Sequence, residues 1–115
     1  MVSFGPARQG LPAEAFRDVG LVVTVDYDMC LPAAVARDAA RFVVDETGQF
    51  TAARERGLFE GYPDPGGTMG ALLRAPRPSG PVVAVHLGTG VADLVFGGSV
   101  LRAAEALGLG SVLSG

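Results

Sequence analysis

The sequence predicts an α/β fold built on a parallel sheet, and three observations carry that prediction. Short β-branched runs, LVVTVD at 21–26, FVVD at 42–45 and VVAV at 82–85, recur with helix-forming stretches between them, an alternation that gives parallel strands joined by helical crossovers. The runs are continuously apolar rather than alternating, the pattern of strands buried on both faces under helices. Finally, 115 residues, 49% of them hydrophobic, with 17 glycines and 8 prolines, suit a globular chain with many short connections rather than a disordered one. That length accommodates one domain over residues 1–115 and not two.

Taken in order, Met1 to Phe4 is a candidate extra strand ahead of the run at 21–26. The stretch LPAAVARDAA carries Pro32 in a first helical turn, where a missing N–H costs nothing, followed by strong helix formers. After the second strand, Thr47 is the expected cap of a helix through QFTAARERGLFE, with Phe50, Ala53, Gly57 and Leu58 on one face and Arg54, Glu55, Arg56 and Glu60 solvated. YPDPGG ends it, and APRPSG ends a shorter helix, TMGALLR. A last helix begins near Thr89 and runs to Leu107, with Val91, Leu94, Val95, Gly98, Leu101, Ala104 and Leu107 recurring at helical spacing and Gly108 as its stop. Gly97 and Gly98 inside it cost roughly 1 kcal/mol each relative to alanine, so a close approach of another backbone is expected there. Three firm strands make a narrow sheet whose edges and faces need cover.

Several function classes are disfavoured at once. The formal charge of -3 is small and contains no block of like charge, so nothing resembles a stripe that neutralises nucleic-acid phosphates. Cys30 is the single cysteine and forms no internal disulfide, and the first twenty residues lack the basic start and apolar core of a signal peptide, which points to the cytoplasm. No apolar run approaches the roughly 20 residues of a membrane helix. With one histidine and no cysteine cluster, a zinc site is not indicated.

The segment HLGTGVADL, His86 to Leu94, follows a strand and opens a helix, which is how a dinucleotide-binding unit begins. Asp93 stands where that fingerprint needs a small residue, and only GLGSVLSG follows Leu107, leaving no room for a second strand ending in an acid. A strand-to-helix turn that needs small residues explains the glycines as well. His86 reads as a general base, a ligand contact or a structural hydrogen-bonded group. Asp26 and Asp28 end the best strand, where open α/β sheets place their chemistry. Two nearby carboxylates can hold a proton useful for transfer, and equally can terminate the strand and cap the next helix. Asp45 and Glu46 repeat the theme at the next strand end, where capping accounts for them. Cys30 lacks a nearby histidine to activate it as a nucleophile.

The order of these pieces resembles the C-terminal third of the ornithine cyclodeaminase and mu-crystallin family. The closest likeness is VVAVHLGTGVADLVFGGSVLRAAEALGLGSVL, a strand, a glycine, an aspartate and a long helix ending in Gly108 and Gly110; LVVTVDYD with LPAAVARDAARFVVDE resembles the strand, helix and strand before it. The resemblance implies a partial Rossmann-like sheet of three to four strands, with residues 89–115 as the returning C-terminal helix and tail. It also implies a cofactor, NAD or NADP, and a small-molecule amino acid or imine as substrate. By position it gives Asp28, or Asp26 with a shifted gap, the proton-handling role. Ser3, Val25, Tyr27 and His86 fall beside the cofactor and Leu87 beside the substrate.

The family's phosphate loop and N-terminal substrate-binding segment have no counterpart here. The expectation is therefore a fragment or split piece of an enzyme for cyclodeamination, imine reduction or amino-acid dehydrogenation, inactive alone and completed by an N-terminal half or a homodimer partner. The rival expectation is a non-catalytic interaction or dimerisation domain that packs through its last helix.

Overall fold

The computed structural model describes residues 10–25 and 31–113. Its order is a 3-10 turn at Ala13–Phe16, β1 at Leu21–Thr24, α1 at Ala33–Asp38, β2 at Arg41–Val44, α2 at Thr47–Glu55, α3 at Met69–Leu72, β3 at Val82–Val85 and α4 at Gly90–Leu107. The three strands form one parallel sheet in the order β1-β3-β2. The last strand therefore sits in the middle, hydrogen-bonded on both sides. Val22 pairs with Val83 and Phe42 with Val83, and this register runs unbroken from Leu21, Val82 and Arg41 to Thr24, Val85 and Val44.

Alternation along the strands then sorts the side chains. Val22, Phe42, Val44, Val83 and Val85 share the face that meets the main core, together with Ala36 of α1 and Phe50 and Ala53 of α2. The centre of that core is aromatic. Phe42 meets Phe50 edge-on at 5.6 Å, Phe50 lies 4.9 Å from Phe59, and Phe59 meets Tyr62 edge-on at 5.3 Å, separations at which ring pairs attract beyond their burial. The Tyr62 hydroxyl donates to the Leu31 carbonyl oxygen, so its polar end is satisfied inside the core. Phe59 takes a left-handed φ of 56°, costing roughly 1–2 kcal/mol, and the burial of its ring offsets that strain.

The other face is covered unevenly. Residues 66–68 run along the free side of β2: Gly66 N–H donates to Phe42 O at 2.8 Å, Val44 N–H donates to Gly67 O at 3.3 Å, and Val44 forms a parallel bridge with Thr68. The chain then turns through α3 and back beside Arg41 and Val82, where the Arg41 guanidinium donates to the Pro76 carbonyl oxygen at 3.3 Å; Val43 and Ala84 are buried. On this face β1 is left largely uncovered. Leu21 and Val23 stay 58% and 42% exposed, and Val25 just beyond the strand 50%. Burial on both faces, expected of every strand, holds along all of β3 and fails in β1.

Three local expectations are corrected. The cap of α2 is Glu46, not Thr47: its carboxylate accepts from the Gly48 and Gln49 N–H groups, as an acid at a helix N-terminus does. The helix stops at Glu55 because Gly57 adopts a φ of 86°, so Leu58 and Phe59 belong to the following turn. Pro32 is the N-cap of α1 rather than a residue of its first turn. By contrast α4 ends as the sequence predicts, with Gly108 in the left-handed region at φ 64°. No residue of α4 is buried. A Cβ on Gly97 would meet nothing within 4 Å, and one on Gly98 only the Arg102 guanidinium at 3.4 Å, so the expected backbone neighbour is absent among the described residues. Among those residues no helix is long and apolar enough to cross a membrane.

Candidate functional site

The carboxyl ends of the three strands converge. His86 N–H donates to Thr24 O at 2.8 Å, and Asp45 N–H donates to Val85 O at 3.2 Å, which continues the ladder one residue past each strand end. Val25, Asp45 and His86 are thereby brought to one end of the sheet, with Val25 and His86 leaving adjacent strands. The side chain of His86 is 44% exposed and that of Asp45 12%. Leu87 is buried in the main core.

Asp45 organises this end. Its Oδ1 accepts from the Glu46 N–H at 2.9 Å and its Oδ2 from the Gly88 N–H at 2.8 Å, while His86 Nδ1 lies 3.7 Å from that same Oδ2. From the other side, Gln49 Nε2 donates to the Gly88 carbonyl oxygen at 3.1 Å. The Gly88 peptide is thus held at both its polar groups by the β2–α2 corner. Its φ of 85° is the left-handed conformation that glycine adopts freely, so this glycine is required by the turn itself.

That geometry takes one donor out of the Gly-Thr-Gly turn. A phosphate cradle works by offering free backbone N–H groups, and the Gly88 N–H is already given to an aspartate of the same chain. What the corner presents to solvent is the imidazole of His86 backed by a carboxylate, beside the apolar Val25. Such a group can accept or donate one proton or one hydrogen bond to a bound molecule. Among the described residues no three histidine, cysteine, aspartate or glutamate side chains gather to hold a metal ion.

Of the residues singled out from sequence, Val25, His86 and Leu87 are placed within this end of the sheet. Ser3, Asp26, Tyr27, Asp28 and Cys30 lie outside the described residues. Sequence reasoning gave Asp45 the same capping role as Glu46 and passed over Gln49 altogether. The only available signal for Asp45 was an acid at a strand end, the same signal that marked Asp26.

The class these features define is a mixed α/β protein, a three-stranded parallel sheet with flanking helices and a long C-terminal helix. Comparison with family models, with curated proteins and with solved structures finds no match for the chain.

Proposed function

We propose that the carboxyl ends of β1 and β3 form one wall of an NAD(P) site in an enzyme acting on amino acids or imines, of the kind the resemblance to ornithine cyclodeaminases and mu-crystallins implies. The sheet is then the later part of a Rossmann-like domain. The observation that supports this reading is the hydrogen bond from His86 N–H to Thr24 O, which sets His86 directly beside Val25 at the end of the sheet where open α/β folds bind their ligands. Because the Gly88 N–H is engaged by Asp45, that donor of the turn is not offered to the pyrophosphate. A wall without a phosphate site positions a cofactor poorly, so the chain alone binds NAD(P) weakly and turns nothing over.

Titration of the full chain with NADH and NADPH, followed by amide NMR, tests this. Saturable shifts at Val25, His86 and Gly88 are expected, with a dissociation constant in the millimolar range, a binding energy of about -4 kcal/mol. Absence of shifts at these amides overturns the nucleotide reading. Robust oxidation or reduction of amino acids by the chain alone overturns the half-site reading.

A second reading is an interaction domain without chemistry, and it is favoured by α4, where Val91, Leu94, Val95, Phe96, Val100 and Leu101 are all exposed. A solution mass equal to one chain, unchanged by Gly98→Leu, counts against it.

A further inference from the structure

The opposite, amino-terminal end of the sheet carries a cleft of about 320 Å³ between the 3-10 turn and α1. We propose that this cleft binds a small zwitterion with an apolar body, of which a free apolar amino acid is the simplest example. The proposal does not depend on the nucleotide reading, since the two sites lie at opposite ends of the strands.

The floor of the cleft is Val22 and Val83, the first inward-facing residues of β1 and β3, and its walls include Phe16 and Val35. Its volume falls at the lower end of the ~300–1,000 Å³ typical of small-molecule sites, which combine an apolar lining with a few polar groups that fix orientation. Here those polar groups are Glu14 and Arg17 on one lip and Asp38, the last residue of α1, on the other. In a 3-10 turn, residues three apart eclipse, so Glu14 and Arg17 rise from the same side of their lip. Among the described residues neither they nor Asp38 form an ion pair.

Charges of both signs around an apolar floor suit a ligand that carries both signs close together. An apolar amine leaves Arg17 facing a cation, and an apolar carboxylate faces Glu14 and Asp38. An α-amino acid offers its carboxylate to Arg17, its ammonium to the two acids and its side chain to Val22 and Val83. An internal peptide segment has the side chain and lacks the charges.

The test is an amide NMR titration of the full chain with leucine, run beside its two one-charge relatives, isoamylamine and 4-methylpentanoate. Leucine is expected to give saturable shifts at Phe16, Val22 and Val35, with both relatives weaker by about threefold to fivefold, the upper part of the range of one exposed ion pair. Arg17→Gln and Asp38→Asn, both at exposed positions, are expected to weaken leucine by a similar factor while leaving the dispersion of the spectrum unchanged. The proposal is overturned if leucine gives no saturable shift at these amides. It is equally overturned if a one-charge relative binds as well as leucine, or if both variants bind leucine like the original chain.

Discussion

Asp45 accepts from two backbone N–H groups, one from the neighbouring Glu46 and one from Gly88 at a sequence separation of 43. Removing the carboxylate leaves both donors to find water in a partly closed corner, so Asp45→Ala is expected to lower stability by about 1–3 kcal/mol, read from urea unfolding. Gly88→Ala acts on the same corner through its φ of 85° and is expected to cost roughly 1–2 kcal/mol. The two effects should fall short of additive in a double-mutant cycle, because once the turn is displaced the aspartate has lost its distant donor anyway. Additive losses would show that the aspartate and the turn are independent. This corner also marks the limit of reading the site from residues alone. Adjacent acids Asp45 and Glu46 look equivalent as candidate caps, yet Glu46 caps α2 and Asp45 clamps a turn. The difference depends on a contact made far along the chain, which no local pattern encodes. His86 was legible as a strand-end residue because strand ends are marked locally, by β-branched runs giving way to polar residues and glycine, whereas Val25, inside the run at 21–26, was singled out only by the family resemblance.

At the level of elements, the three strands and four α-helices among the described residues fall where the sequence pattern expects them, with shorter bounds, since each strand is a β-branched run bounded by turn residues. Boundaries were less legible where a side chain competes for the backbone. The capping of α2 by Glu46 is such a case, and Glu46→Ala is expected to cost about 1 kcal/mol, with loss of exchange protection at the Gly48 and Gln49 amides. The sheet order was not legible, because β3 pairs with both β1 and β2 through contacts between runs far apart in the chain, and all three runs carry the same β-branched pattern. In α4 the glycine pair invites the opposite test from a core glycine. A Cβ at Gly97 meets nothing within 4 Å, so Gly97→Ala should raise the stability of this helix by roughly 1 kcal/mol, seen as greater helical circular dichroism on warming. A loss of stability instead would reveal a backbone packed against that position.

Across the whole molecule, order is unevenly supported. β3 is buried along its entire length and paired on both sides, and the aromatic group of Phe42, Phe50, Phe59 and Tyr62 locks α2 to the sheet above it. Phe50→Ala should therefore cost about 3–5 kcal/mol, a large part of the 5–15 kcal/mol that holds a domain together, and shift the urea midpoint accordingly. α4 stands at the other extreme. Its large apolar side chains lie around the helix rather than on one stripe, the composition of a helix enclosed on several sides, yet none of its residues is buried. With none of its eighteen residues buried, α4 lacks the packing that supplies most of a helix's stability in proteins. Hydrogen exchange on the isolated chain at low concentration should accordingly find β3 amides the slowest and α4 amides close to unprotected. Raising the concentration, or adding a protein that covers α4, should slow α4 without changing β3. Equal protection of α4 and β3 at low concentration would mean that the helix packs on its own sheet, and the exposed faces of α4 and β1 would then cover one another.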